Sequence, residues 1–108
     1  MNLTELQNIV LKFRDERDWK QFHSPKNLAI SLSLESSEVL EHFQWQDECK
    51  NKKELSHELA DVLAYLLLLA KETDIDLEKA FLEKIEINKQ KYPIDKAKGN
   101  SKKYTEYK

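Results

Sequence analysis

Four acidic residues stand in two pairs that share one spacing. Glu35 and Glu38 are three positions apart, and so are Glu58 and Asp61. Residues three apart on an α-helix project from one face, about one turn from each other. Two such pairs on neighbouring antiparallel helices would bring four carboxylates together, with severe mutual repulsion in a half-buried site. Divalent cations would relieve it, and carboxylate oxygens are hard ligands that select Mg²⁺ or Mn²⁺.

Two of these acids have apolar neighbours. Asp61 directly precedes a run of nine apolar or aromatic residues, 62–70, and Glu35 falls on the apolar stripe of its segment. An unpaired carboxylate in apolar surroundings costs free energy, which a bound cation would offset. Pairs of this spacing also arise by chance when 35% of the residues are charged, and they then form solvated helix faces. From the residues alone, both interpretations stay open.

Hydrophobic spacing predicts four helices to position these acids. Helix-forming Glu, Lys and Leu abound, whereas the chain has only one Gly and two Pro. Capping residues and Pro93 predict the boundaries. The first helix is capped by Thr4 and ends near Asp18, the second runs from about Pro25 to Trp45 after the cap Ser24, the third covers 52–72, and the fourth covers 77–91 after the cap Asp76.

The predicted fold class is all-α, a four-helix bundle completed by oligomerisation. Residues 1–95 form the helical domain, and residues 96–108 form a basic polar tail. The third helix is apolar nearly all round after Asp61, and such a helix is normally enclosed on every side. A bundle of 108 residues has little material to enclose it. We therefore expect a second copy of the chain to cover part of it.

Composition excludes several classes of function. The net charge of −2 argues against binding a nucleic acid polymer or a membrane surface. The longest apolar run, nine residues, is too short to span a bilayer, and MNLTELQNIV does not resemble a signal peptide. A single cysteine, Cys49, excludes an internal disulfide and is compatible with a reducing compartment. We expect a soluble, cytoplasmic protein.

The order of these motifs carries a family resemblance. The stretches that match are RDERDWKQFHSPKNLAISL, EVLEHFQW, ELADVLAYLLLLA, KIEINKQKYP and SKKYTE. Together with the two acidic pairs, they resemble the MazG-type all-α nucleoside triphosphate pyrophosphohydrolases, most of all the dCTP pyrophosphatase branch. One departure is clear: many relatives have a glycine between the first two glutamates, where this chain has Ser36 and Ser37.

The resemblance implies a role for each matching residue. The four acids would bind Mg²⁺, with Mn²⁺ as a substitute, and the chain would assemble into a dimer or tetramer. The positions that match phosphate and sugar contacts are Lys84, Asn88, Lys91 and Tyr92, and those that match the base pocket are Trp19, Phe22, Trp45 and Tyr65. The tail is either disordered or folds over the triphosphate, in which case Lys102 or Tyr104 would reach the site.

The implied reaction is hydrolysis of a nucleoside triphosphate, dCTP or a modified dCTP, to the monophosphate and pyrophosphate. Water would attack the α-phosphorus, and Glu38 is the favoured base, with Glu41 as the other candidate. Without the resemblance, Glu41 is best interpreted as exposed. Alternatives are a broader or dUTP-specific pyrophosphohydrolase, or a non-catalytic helical dimerisation module.

Several other residues have a structural interpretation beside a functional one. On their own, Trp19 and Trp45 would be core residues, whereas the resemblance favours stacking on the base. His23 and His42 could contact phosphate or base, but the main expectation places them at the surface or at helix ends, and His57 is expected to be exposed. The sequence around Cys49 indicates no catalytic role.

Overall fold

The computed structural model describes residues 1–107, and the part it describes is all-helical, with no strand. This confirms the predicted all-α class, whereas completion of the bundle by oligomerisation stays a prediction. Five α-helices and two short 3₁₀ turns follow one another along the described chain. They are α1 (Leu3–Glu16), a 3₁₀ turn (Lys20–Phe22), α2 (Pro25–Glu41), α3 (Lys52–Glu72), α4 (Leu77–Lys91), α5 (Ile94–Ala97) and a second 3₁₀ turn (Tyr104–Glu106).

The predicted cap of α1 is wrong by two residues. The side-chain oxygen of Asn2 accepts a hydrogen bond from the Glu5 N–H at 2.9 Å, so Thr4 lies inside the first turn. The helix also ends earlier than Asp18, at Glu16, because Asp18 adopts the left-handed conformation with φ of 54°. The chain then turns directly into the first 3₁₀ turn, which the sequence analysis did not predict.

The caps of the later helices agree better with the sequence. Ser24 Oγ accepts from the Asn27 N–H at 3.1 Å with Pro25 in the first turn, and Asp76 Oδ1 accepts from the Lys79 N–H at 3.1 Å. The bounds predicted for α3 and α4 are confirmed. The predicted end of α2 at Trp45 is wrong. After Glu41 the backbone hydrogen bonds join residues three apart, as in turns, instead of four apart, as in an α-helix.

The described chain divides into two compact units, the first covering Met1–Ile75 and the second beginning at Asp76. In the first unit, α3 packs against both α1 and α2. The apolar core of this unit consists of Leu28 from α2 and Leu67, Leu68 and Ala70 from α3. No described helix is both long enough and apolar enough to cross a membrane.

In the second unit, the tail packs on the end of α4. The ring of Tyr92 meets the rings of Tyr104 and Tyr107 edge-on, with centroids 5.9 and 6.0 Å apart. Lys91 Nζ lies 5.0 Å from the centroid of the Tyr104 ring. Aromatic contacts thus hold residues 104–107 against the end of α4, and α5 and the second 3₁₀ turn lie in a segment for which no helix was predicted. The division into residues 1–95 and 96–108 stays a prediction.

Candidate functional site

The two acidic pairs lie on two helices that pack together. Glu35 and Glu38 are on α2, and Glu58 and Asp61 are on α3. Within each pair, one side chain is half-buried, Glu35 and Glu58, and the other is exposed. Each helix therefore offers one carboxylate turned toward the packed interface and one within reach of solvent.

Glu35 is influenced by the three other acids of the two pairs. The pKa of Glu35 is raised from its ordinary value of 4.5 to about 7, first by burial and next by a hydrogen bond with the Glu38 carboxyl group. The negative charges of Glu38, Asp61 and Glu58 act in the same direction. Its Oε2 atom is buried and has no hydrogen-bond partner within residues 1–107. Ionised Glu35 is thus disfavoured both by its burial and by the negative charges beside it.

Glu58 has a different neighbour. Its Oε2 atom contacts Nε2 of His42, which directly follows Glu41 and caps the carboxyl end of α2. The other ring nitrogen, Nδ1, lies 3.4 Å from Sγ of Cys49, in the segment between α2 and α3. A chain of polar contacts therefore runs from the thiol through the imidazole to the carboxylate.

The chemistry of this donor set fits a hard divalent cation. Carboxylate oxygens suit Mg²⁺ or Mn²⁺, and the buried oxygen of Glu35 is the kind of atom that a cation would satisfy. As described, residues 1–107 contain no group of three or more His, Cys, Asp or Glu side chains gathered closely enough to hold an ion. The four carboxylates are near one another without converging on one point, and Glu58 is engaged by His42.

Ser36 and Ser37, which depart from the family pattern, lie on α2 between Glu35 and Glu38. Ser36 Oγ donates to the Leu32 carbonyl at 2.9 Å, and Ser37 Oγ donates to the Ser33 carbonyl at 3.1 Å. Both hydroxyls thus bond back to their own helix. Glu41 is exposed, as expected from the residues alone, and so is His57.

The four residues assigned to the base pocket all lie in the first unit. Trp19 precedes the first 3₁₀ turn and meets the Phe13 ring edge-on at 5.6 Å, and Phe22 ends that turn with its side chain largely exposed. Trp45 is 90% exposed, which excludes a core role for it within the described part of the single chain. Tyr65 is half-buried on α3.

The residues assigned to phosphate and sugar all lie in the second unit. Lys84 is exposed, whereas Asn88 and Lys91 are half-buried. Tyr92 caps the helix, and its N–H donates to the Asn88 carbonyl at 2.8 Å. Lys102 and Tyr104 are exposed tail residues. Lys102 also lines a cavity of about 220 Å³ with Lys96, Asn100, Glu106 and Tyr107.

The contact between His42 and Glu58 was not predicted from the sequence. His42 was expected at the surface or at a helix end; it does end α2, but it is half-buried there. The spacing of these residues could have indicated that His42 lies near the acids, because His42 is four positions after Glu38 and seven after Glu35. Those intervals place it on the face of α2 that carries both acids.

Comparison with known proteins agrees with the resemblance. The family model described as MazG-like matches residues 30–107. Proteins named dCTP pyrophosphatase 1 are similar over 113 aligned residues and 96% of this chain: that of Rattus norvegicus is 37% identical and that of Homo sapiens 39% identical. The chain spans 66% of the length of each, just under two thirds.

A solved structure is also similar. The crystal structure of a pyrophosphatase from Archaeoglobus fulgidus matches with a TM-score of 0.78 and 43% sequence identity, covering 83% of this chain and 91% of that one. The family model matches well over half of the chain, and these relatives are 37–43% identical to it. Both findings agree with the fold and with the order of the acidic pairs. The chain therefore belongs to the MazG-like family.

Proposed function

We propose that this protein is a nucleoside triphosphate pyrophosphohydrolase, which cleaves the bond between the α- and β-phosphates to release pyrophosphate. The observation that carries the proposal is the acidic site of the first unit. There, two packed helices carry the four carboxylates, and Glu35 has a buried oxygen and a pKa that is raised to about 7 by burial and by the other three acids. The names of the relatives and of the solved structure support the same reaction.

The acidic site would bind Mg²⁺, or Mn²⁺ in its place, through Glu35, Glu38, Glu58 and Asp61. When bound, the cation would offset the charge of the triphosphate and favour ionisation of an attacking water. Glu38 is suited to accept a proton from that water, because its side chain is exposed and therefore within reach of solvent. Glu41, also exposed and one turn further along α2, is the second candidate for this role.

The proposed substrate is dCTP or a modified dCTP. Two features support it: the relatives are named for dCTP, and Trp19, Phe22 and Trp45 present exposed aromatic side chains that can stack on a base. On α4, Lys84, Asn88 and Lys91 share a face by their spacing and offer two positive charges and an amide to a phosphate or sugar. A broader (d)NTP or dUTP specificity keeps the same chemistry and changes only the base contacts.

A panel of nucleotides tests the proposal. The protein is incubated with Mg²⁺ and each canonical and common modified (d)NTP, and the products are identified by chromatography. We expect a monophosphate and pyrophosphate in equal amounts, with the largest kcat/KM for dCTP or a modified dCTP. Glu38→Gln and Asp61→Asn should each lower kcat by at least about 100-fold, whereas Glu16→Gln, at an exposed position of α1, should leave it unchanged.

The outcomes separate the alternatives. Release of inorganic phosphate instead of pyrophosphate would exclude the proposed bond, and preference for dUTP would change only the substrate. If no nucleotide were hydrolysed, the remaining interpretation would be a non-catalytic helical dimerisation module. Normal turnover in both Glu38→Gln and Asp61→Asn would overturn the assignment of the site, provided that circular dichroism shows unchanged helix content.

We also propose that the chain self-associates into a dimer or tetramer. Large apolar side chains of the first unit are exposed on α1, α2 and α3, among them Ile9, Leu34, Leu40 and Leu59. Such a surface is typical of an interface between proteins. The cytoplasmic location expected from composition stays a prediction.

A further inference from the structure

The contact between His42 and Glu58 joins the end of α2 to the middle of α3. Both side chains are largely enclosed, with 13% of the His42 side chain and 26% of the Glu58 side chain exposed. A contact so little exposed is less weakened by solvent than a surface pair. It therefore restricts the orientation of Glu58 more strongly than a surface hydrogen bond would.

Cys49 decides how the imidazole takes part. A thiol is a weak donor, and its Sγ atom lies 3.4 Å from Nδ1 of His42. If the S–H group donates to Nδ1, the hydrogen of a neutral imidazole is on Nε2. That N–H group points at a Glu58 oxygen, which accepts the bond. With this tautomer the thiol donates to the imidazole, and the imidazole donates to the carboxylate.

We propose that His42 is a positioning residue that holds the Glu58 carboxylate for a divalent cation, with Cys49 fixing the orientation of the imidazole ring. The inference rests on the proposed function, because it takes Glu58 as a cation ligand. A carboxylate has two oxygens, so a hydrogen bond from His42 to Oε2 leaves Oε1 for the ion. Ligating carboxylates are commonly held by such hydrogen bonds, and loss of the donor costs about 10–100-fold in affinity or activity.

The opposite role for His42 gives the opposite result. If His42 competed with the cation for Glu58, the contact would have to break on binding, and removal of the imidazole would strengthen cation binding. A purely structural role, as a link between α2 and α3, would change the stability of the fold and leave the affinity for the ion unchanged in any variant that folds.

The test measures binding of Mn²⁺ alone to the full-length protein by isothermal titration calorimetry, with no nucleotide present. Two variants of similar polarity differ in reach: the Gln amide nitrogen in His42→Gln occupies about the place of Nε2, whereas the Asn amide in His42→Asn is too short to reach Glu58. His42→Leu removes the donor altogether. His57→Asn is the matched control, because His57 is an exposed histidine immediately before Glu58.

We expect His42→Asn and His42→Leu to weaken Mn²⁺ binding by about tenfold or more, and His42→Gln and His57→Asn to stay within about twofold of the parent protein. Equal affinity in His42→Asn and His42→Gln would overturn the positioning role, as would tighter binding in His42→Leu. The comparison of the two amide variants decides the question even if His42→Leu does not fold.

The same titration distinguishes this inference from the proposed function. If Asp61→Asn abolishes Mn²⁺ binding while every His42 variant binds normally, only the inference fails. If the parent protein itself does not bind Mn²⁺, the cation site fails, and the positioning role fails with it. Cys49→Ala adds a second check, because loss of the thiol should weaken Mn²⁺ binding, whereas Cys49→Ser keeps a donor and should bind like the parent.

Discussion

At the scale of single residues, Glu35 gives the acidic site its pH dependence. In the metal-free protein its pKa is raised by burial, by the Glu38 hydrogen bond and by three neighbouring negative charges. A carboxyl group with a higher pKa in the folded than in the unfolded state binds its proton more tightly when folded. Stability is therefore gained as the pH falls from about 7 toward 4.5, and it is lost as the pH rises through that window.

Substitution of Glu35 by Gln removes this loss. In EDTA at pH 8, we expect Glu35→Gln to be more stable than the parent by about 1–2 kcal/mol, a value that allows for screening by solvent. The difference should shrink as the pH falls through this window and approach zero below about pH 4, where Glu35 is protonated in both states. Urea denaturation across this pH range measures it, with Glu16→Gln as control. If Glu35→Gln were no more stable than the parent at pH 8, the claim that ionised Glu35 lowers the stability of the fold would be wrong.

The sequence could predict Glu35 but not its neighbours in space. Its place on an apolar stripe already indicated an unusual carboxylate, because helical spacing fixes which residues share a face. The bond to His42 depends on how α2 ends and how the next segment returns to α3, and neither follows from spacing. Trp45 shows the same limit: a tryptophan is usually buried, and only the fold shows that this one is 90% exposed.

At the scale of helices, a buried ion pair ties α1 to α3. Arg14 Nη1 lies 3.0 Å from Glu72 Oε1, and its Nε donates to Asp15 at 2.9 Å. The arginine is almost fully enclosed. Burial and the Arg14 charge lower the pKa of the nearby His23, against a smaller opposite effect of Glu72. This end of the first unit is thus held by charges that lack full contact with water.

Breaking this pair should cost more than breaking a surface pair. We expect Arg14→Met to lower the free energy of unfolding by about 3 kcal/mol, because it leaves Glu72 partly buried without its partner. Lys89→Met breaks the exposed pair with Glu86 on α4, and it should cost less than about 1 kcal/mol. Urea denaturation at pH 7 compares the two. Equal losses would show that the enclosure of Arg14 contributes nothing.

Helix boundaries were predictable where a local cap decides them. Ser24 and Asp76 each accept from the N–H group three residues on, and both helices begin as predicted. Asn2 competes with Thr4 for the same role, and it wins by placing its side chain on the Glu5 N–H. The early end of α2 has no such signal, since Phe43 and Trp45 continue the apolar spacing past Glu41.

At the scale of the whole molecule, the first unit exposes large apolar side chains that a second copy of the chain would cover. The sequence predicts that α3 is enclosed, yet Leu59 is 52% exposed and Leu63 is 37% exposed on that helix. Further large apolar side chains are exposed on α1 and α2, including Phe13 and Leu40. Burial of such side chains is worth about 25 cal/mol per Å² of apolar surface removed from water. A second copy of the chain is the partner that the sequence analysis predicted.

Size-exclusion chromatography with light scattering tests this prediction. At micromolar concentration we expect at least two chains per particle. Leu63→Lys, which places a charge among the apolar side chains of α3, should shift the protein toward one chain per particle. Gln90→Lys adds the same charge at an exposed position of α4, in the second unit, and should leave the assembly unchanged. Circular dichroism confirms that both variants keep their helices. A parent protein that elutes as a single chain would refute self-association, and the exposed side chains of α3 would then have to be covered by something other than a second copy.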